Sequence, residues 1–294
     1  MPRRCLSLTF GAILLVLAAG LGLGAGRLAT AASPPGPELA ALIAAGDSSA
    51  CRECHEQVHQ QWQGSHHARS LMGLDDWIFM QPYLQKGPLA VAEAGQATRA
   101  NFPCAKCHLP QLLEAPDQAA AQLAAAVLAN DQATVRRLNI GCLVCHHQKA
   151  VVHGRPQPGV IYGSRDIPDH PGQPVKHSPL LKDPLFCGQC HGLGPNLELA
   201  HPVQCATLYG SYLHAYLPSG GSRTCQDCHW QNGDHSAPPD FNRRAETAQR
   251  LRQSLPLEVE ATAYRFQPKD REYQPLLVVR TRVTSRAGHR VPDG

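Results

Sequence analysis

The pattern of apolar and polar residues predicts few regular elements over most of the chain. Residues 117–130 are Ala-rich with apolar residues at helical spacing, and they predict a helix capped at Asp117. Residues 246–254 predict a second helix, rich in Arg and Gln. Residues 154–184 are rich in proline and predict loops.

The pattern changes toward the end of the chain. Residues 257–264 alternate apolar and polar side chains, and residues 275–284 are β-branched, so both predict strands. A hairpin of two strands is marginally stable alone. We therefore expect either that it packs against the preceding domain or that it begins a larger β-rich module that is truncated at Gly294.

The composition indicates that the chain has few large side chains with which to build an ordinary core. Aromatic residues are only 5% of the chain, and it contains 25 Gly and 25 Pro. So many turn-forming residues favour loops, and few large side chains are left to pack a core. The net charge of +4, with no basic run beyond Arg3 and Arg4, argues against a nucleic-acid-binding protein.

The first residues predict export. Arg3 and Arg4 precede an apolar stretch over residues 6–23, and Ala29-Thr30-Ala31 offers a cleavage site. We predict a signal peptide over residues 1–31 and a periplasmic or otherwise exported location. The alternative is an uncleaved membrane anchor, because the apolar stretch approaches spanning length.

Five segments share the pattern Cys-x-x-Cys-His. Two thiols three residues apart form thioethers with two vinyl groups on one porphyrin edge, and the adjacent imidazole then binds the iron. The predicted cofactor-binding cysteines are Cys51, Cys54, Cys104, Cys107, Cys142, Cys145, Cys187, Cys190, Cys225 and Cys228. The predicted proximal metal ligands are His55, His108, His146, His191 and His229.

Other uses of cysteine pairs fit less well. A structural zinc site takes four ligands, so cysteine pairs would come in twos, and five pairs do not divide. A disulfide framework suits an exported protein better, but the histidine after every pair favours haem c. The predicted cofactors are five covalently bound haem c groups. Cys205 lies outside these pairs, and we predict that it is a small buried apolar residue.

The second axial ligands are predicted to be histidines. Of 16 histidines, five are proximal and eleven remain, whereas Met72 and Met80 are the methionines left after Met1. Local context favours five as distal ligands: His67, His153, His177, His235 and His289. The other six are predicted to be surface residues, with His214 as the first reserve: His59, His66, His147, His170, His201 and His214.

The predicted fold class is mainly α, with extensive irregular loops wrapped around five c-type haems and a short C-terminal β segment. Residues 32–49 are expected to be a linker and residues 50–245 a pentahaem cytochrome c domain. Residues 246–294 are expected to contain a helix and the start of a β-rich module.

The chain also resembles a known family. Cys51-x-x-Cys54-His55, followed by Trp62-x-x-Ser65-x-His67-Ala68, is similar to the opening of periplasmic multihaem cytochromes c. These are related to the tetrahaem electron acceptor of hydroxylamine oxidoreductase and to octahaem reductases. Further similar segments are 141–146, 178–191, 224–229 and 288–294.

The resemblance implies stacked haem pairs, mostly bis-histidine iron, and electron transfer in the periplasm or at the cell surface. It supports the five distal histidines chosen above, His67 most directly. The chain departs from the family after His146, where His147-Gln148-Lys149 stands in place of a Gly-Pro-Gly run. It departs again at Trp230, where the family usually has methionine.

Two functions fit these features. The first is an electron carrier with no catalytic residues, whose partners are other redox proteins or quinol-linked membrane electron donors. The second is a multihaem reductase that acts on a small nitrogen or oxyanion substrate at one haem with an open axial position. Ligand supply favours the carrier, since the spare histidines are enough to close every iron.

Overall fold

A computed structural model describes residues 34–73, 76–151, 154–192, 207–237 and 243–291. The predicted signal peptide, His153, His201 and Cys205 lie outside the described residues. Within the described ranges, no helix combines the length and the apolar character needed to cross a membrane.

Short helices joined by loops make up most of the described chain. The α-helices are α1 (Pro37–Ala45), α2 (Ser49–Arg52), α3 (Glu56–Gln63), α4 (Gln81–Lys86), α5 (Ala105–His108), α6 (Asp117–Leu128), α7 (Gln132–Val135), α8 (Pro184–His191), α9 (Leu208–Ser211), α10 (Cys225–His229) and α11 (Arg244–Ser254). The π-helical turns are Val144–Gln148 and Tyr212–Tyr216. The 3₁₀ turns are His67–Arg69, Ala94–Gln96, Arg99–Asn101, Pro110–Glu114, Pro179–Lys182 and Gln231–Gly233.

Helix α6 confirms the longest helix that was predicted, with one correction at its start. The N-cap residue is Pro116, in extended conformation, and Asp117 is the first helical residue. The Asp117 carboxylate instead accepts hydrogen bonds from the backbone N–H of Arg99 at 3.1 Å and from its Nε at 3.0 Å. The carboxylate therefore ties α6 to a neighbouring turn rather than closing its own first turn.

The main apolar core lies between residues 39 and 138, where one face of α6 is buried among the surrounding helices. Helix α1 belongs to this core, because Leu39, Leu42 and Ile43 are buried. The backbone N–H of Leu39 also donates to Oε1 of Gln122 on α6, at 2.9 Å. This helix lies within residues 32–49, which the sequence predicts to be a linker, and its apolar residues are drawn into the core.

Residues 154–184 are mostly loop, as predicted, but contain one small sheet. Strands β1 (Ile161–Gly163) and β2 (Val175–His177) pair in parallel, with Ile161 opposite Val175. Ile167 forms a further bridge to Val175. This pairing folds the segment between the strands back on itself and determines where its histidines lie.

Helix α11 and the two predicted strands at the end of the chain are confirmed. Strands β3 (Leu257–Phe266) and β4 (Gln274–Val283) form an antiparallel hairpin, with Leu257 opposite Val283. Every residue of both strands is exposed. The expectation that the hairpin packs against the preceding domain is therefore not met in the described part of the chain.

Candidate metal centres

The Cys-x-x-Cys-His segments adopt short helical turns. Segments 104–108, 187–191 and 225–229 lie on or at the start of α5, α8 and α10. In segments 51–55 and 104–108 the histidine N–H donates to the carbonyl of the first cysteine, at 2.9 and 3.0 Å. Positions i, i+3 and i+4 of a helix share one face. Both thiols and the imidazole of a segment are therefore presented on the same side.

A capping box formed by Thr224 and Asp227 defines the start of helix α10. The Thr224 hydroxyl accepts from the N–H of Asp227 at 3.1 Å, and Oδ2 of Asp227 accepts from the N–H of Thr224 at 2.8 Å. This reciprocal capping box satisfies N–H groups that a helix start would leave unpaired. The bond from the Thr224 N–H also holds the pKa of Asp227 below its ordinary value.

Four of the five predicted proximal histidines face a second histidine at nearly the same distance. The pairs, with their ring-centroid distances and interplanar angles, are His55–His170 (6.0 Å, 5°), His146–His235 (6.2 Å, 24°), His229–His289 (6.1 Å, 23°) and His67–His191 (6.1 Å, 76°). Each pair joins two residues that are far apart in sequence.

This distance matches the one expected for two imidazoles that bind the same metal ion. Two imidazoles that bind one metal ion from opposite sides, each at a metal–nitrogen distance of about 2.0 Å, have ring centroids roughly 6 Å apart. Both rings then contain the same metal–nitrogen axis, so the angle between their planes is free to vary. The near-parallel and the near-perpendicular pairs fit this arrangement equally well, and the residues present therefore fit an iron with two axial histidines.

Hydrogen bonds to the backbone orient many of these rings. The Nδ1–H groups donate to carbonyl oxygens at 2.7–3.1 Å, in the combinations His108–Ser70, His146–Tyr162, His170–Gln173, His235–Gly233 and His289–Arg290. A donor at Nδ1 leaves the lone pair on Nε2, and such an outer partner is typical of histidines that bind metals. His147 has the same bond, to the carbonyl of Val160 at 2.8 Å.

Burial adjusts the imidazoles in the same sense. Burial, followed by the proximity of His191, lowers the pKa of His67 to about 4. Burial also lowers the pKa of His108, His146 and His191. The neutral imidazole is the form that binds a metal ion, so at neutral pH these side chains are ready to bind.

Among the predicted distal ligands, the structure places His67, His235 and His289 opposite a proximal histidine. His177 lies elsewhere, as an exposed residue at the end of strand β2, and its backbone N–H donates to Oδ1 of Asp166 at 2.8 Å. His170 is the histidine that faces His55. Sequence reasoning placed His170 among surface residues, and no local signal distinguishes it, because the β1–β2 pairing brings it into position.

The second segment differs from the other four. The ring of His108 contacts Phe79, with centroids 4.7 Å apart, and no other ring contact of His108 is found among the described residues. His153, also predicted as a distal ligand, lies outside them. A cavity beside His108 has a largely apolar lining: Leu71, Ile78, Phe79, Met80, Phe102, Cys104, Ala105, Leu109, Leu112, Leu123 and Val127.

Thiols from different segments meet. Burial and a hydrogen bond between the Cys51 and Cys142 thiols raise the pKa of Cys51 to about 11. Hydrogen bonds between Cys107 and Cys190, and between Cys187 and Cys225, raise the pKa of the first thiol in each pair. The ten cysteines of the five segments are free thiols in the structure. The first segment thus adjoins the third, and the fourth adjoins both the second and the fifth.

Segments of this kind, each offering two thiols and an imidazole on one helical face, are typical of c-type cytochromes, which are haem proteins of electron transfer. Residues 50–147, about a third of the chain, match the family model described as "Cytochrome c554 and c-prime". This stretch contains the first three Cys-x-x-Cys-His segments and His67. No curated protein and no solved structure matches the chain.

Proposed function

We propose that the chain is an exported pentahaem cytochrome c that passes electrons between redox partners through bis-histidine haems. The observation that carries the proposal is the set of four histidine pairs with ring centroids 6.0–6.2 Å apart. Four equal separations, each joining a proximal histidine to a remote one, are explained by four shared metal ions.

The proposed axial ligands follow from these pairs. His55 binds with His170, His146 with His235, His191 with His67, and His229 with His289. His170 therefore replaces His177 in the set expected from sequence. His108 is the proximal ligand at the second segment, and His153 remains its proposed partner on sequence grounds.

The residues of the chain hold and orient the cofactor. Cysteine thioethers attach it, and backbone carbonyls hold imidazoles such as His146 and His289 in a single orientation. Bound haem c supplies a one-electron Fe(III)/Fe(II) couple at each site. Two strong axial nitrogen ligands leave an iron no position for a substrate, which favours electron transfer over bond chemistry.

The alternative, a reductase with one open haem, would be centred on His108. A small oxyanion substrate needs cationic or hydrogen-bond-donating groups around it, and an acid to deliver protons. The cavity beside His108 is instead lined by side chains such as Leu71, Phe79 and Phe102, which penalise burial of an anion. This lining favours the electron carrier over the reductase. Redox proteins or quinol-linked membrane donors are the partners that we propose for it.

Low-temperature EPR of the oxidised protein, combined with a haemochrome assay, tests the proposal. We expect five haems per chain, with four of them low-spin at the paired histidines. The His67–His191 pair, with ring planes 76° apart, is expected to give the most anisotropic low-spin signal. Fewer than five haems, or several high-spin signals, would contradict the proposal.

Two matched variants test the ligand that separates structure from sequence. His170→Ala should convert one haem from low-spin to high-spin, whereas His177→Ala should leave the spectrum unchanged. The opposite result would restore His177 as the ligand. Added imidazole should return the His170→Ala protein to the low-spin state, which distinguishes a lost ligand from a misfolded domain.

A further inference from the structure

Three tyrosine rings lie in a row, which we call a ladder, beside the fourth and fifth Cys-x-x-Cys-His segments (residues 187–191 and 225–229). Tyr209 and Tyr212 have ring centroids 6.2 Å apart with planes at 15°, and Tyr212 and Tyr216 have centroids 5.6 Å apart with planes at 28°. Spacings of three and four residues place these rings on one face of the helical segment 208–216. We name this segment the ladder helix.

One end of the ladder helix is packed on the fourth Cys-x-x-Cys-His segment. A Cβ atom built on Gly188 would lie 2.7 Å from Cγ and Cδ1 of Tyr209. A Cβ atom built on Gly192 would lie 2.4 Å from Cβ of the same tyrosine. These separations are shorter than van der Waals contact, so the backbone around Cys190 and His191 approaches Tyr209 as closely as glycine allows.

The other end of the ladder helix is packed on the fifth segment. The Tyr216 hydroxyl accepts a hydrogen bond from the backbone N–H of Arg223 at 3.3 Å, two residues before Cys225. A Cβ atom built on Gly221 would lie 2.4 Å from Cζ of Tyr216. Tyr216 therefore lies directly against the turn that leads into α10, where His229 is the proximal ligand.

The same helix contacts both neighbours of His289. A Cβ atom built on Gly288 would lie 3.8 Å from Cγ of Tyr216, which is ordinary packing distance. On the other side, the backbone N–H of Arg290 donates to Oγ of Ser211 at 3.2 Å. The Ser211 hydroxyl donates in turn to the carbonyl of Leu208 at 3.1 Å, which orients its lone pairs toward Arg290.

The chain that precedes His289 offers less support of this kind. Strands β3 and β4 are exposed at every position, and the base of the hairpin is joined to α11 by backbone bonds such as that from the N–H of Arg286 to the carbonyl of Ser254, at 2.7 Å. Packing from the ladder helix thus acts at the two residues that flank the imidazole.

We infer that the ladder helix is a positioning element that presents His289 to the fifth haem and couples this site to the fourth haem-binding segment. The inference rests on the proposed function, in which His229 and His289 share one iron. Ser211 and Tyr216 act through His289 and are positioning residues. Tyr216 also braces the turn before Cys225, so one side chain contacts both the attachment of the haem and the carrier of its distal ligand.

The test uses the full-length holoprotein with Ser211→Ala and Tyr216→Leu combined. The thioether cysteines are untouched, so the haemochrome assay should still return the wild-type haem count. EPR should show one additional high-spin haem per chain, and added imidazole should reverse it. Tyr216→Phe, which keeps the ring, should retain the wild-type spectrum. Tyr273→Leu, at an exposed tyrosine beside the hairpin, is the matched control and should also leave it unchanged.

Two outcomes separate this inference from the proposed function. If His289→Ala leaves every haem as in the wild type, the ligand assignment fails and the positioning role fails with it. If His289→Ala yields a high-spin haem but the double variant does not, the positioning role alone is overturned. If the double variant loses haem, the EPR spectrum of Ser211→Ala alone is the test. A high-spin fraction that rises with temperature at one haem supports the positioning role, and a wild-type spectrum refutes it.

Discussion

Residues 37–138 and residues 207–291 build their structure in different ways. The first region contains the large cluster of buried apolar side chains, among them Leu39, Leu112 and Leu123. In the described part of the second region, Tyr212 is the one buried hydrophobic residue, and the hairpin is exposed throughout. Yet the second region supplies both members of one proposed ligand pair and His235 of another.

The two regions obtain their stability from different sources. Burial of apolar side chains stabilises the first region in the ordinary way, at roughly 25 cal/mol per Å² of area removed from water. The second region buries too few side chains for this, so we expect covalent attachment and axial ligation to hold it in place.

The largest effect is expected when a haem attachment is removed from each region in turn. Cys225→Ser with Cys228→Ser should leave residues 207–291 open to proteolysis. Cys104→Ser with Cys107→Ser should leave residues 37–138 largely resistant, because its apolar core remains. Limited proteolysis with mass spectrometry measures the cleavage of each region. Equal sensitivity of the two regions would contradict the proposed difference in their stability.

A smaller effect is expected from a cavity in the first core. Leu123→Ala removes a side chain that is 1% exposed, and such a change costs about 2–5 kcal/mol of unfolding free energy. Leu113→Ala, at a leucine that is 41% exposed, is the control and should cost less than about 0.5 kcal/mol. Denaturant unfolding of the holoprotein compares them, and equal costs would mean that this cluster does not stabilise the region.

We expect a low pH to lower the stability of the first region slightly, through the surface residue Asp117. Hydrogen bonds from the Arg99 backbone and side chain hold the pKa of Asp117 below its ordinary value of 3.8. A lowered pKa in the folded state stabilises the protein above pH 3.8, and this contribution is lost as the pH falls through the folded value. The unfolding temperature of Asp117→Asn should therefore depend less steeply on pH below 3.8 than that of the wild type. If the two curves of unfolding temperature against pH are parallel, Asp117 does not contribute to the pH dependence of stability.

The smallest effect is expected on the hairpin. Leu277→Ala, at a side chain that is 62% exposed, should change the unfolding free energy by no more than about 0.5 kcal/mol. The same unfolding experiment measures it. A loss above about 1 kcal/mol would reveal that this face is covered in solution and would narrow the difference between the two regions.

Local elements were predictable because their causes are local. Helix α6, helix α11 and both strands of the hairpin follow from periodicity within ten or so residues. Helix α1 was missed because a short Ala-rich stretch has little helical stability alone. It forms where Leu39 and Ile43 find the buried face of α6.

The predicted chemistry of haem attachment follows from the sequence alone, because it requires only five pairs of cysteines, each with an adjacent histidine. Which remote histidine faces the imidazole follows only from the tertiary structure, and among the described residues four of the five segments have such a partner. His170 lies in the loop before β2 and His177, seven residues later, lies at the end of β2. The parallel pairing of β1 with β2 brings His170, not His177, to His55. A ligand pair depends on the path of the whole intervening chain, which local spacing does not encode.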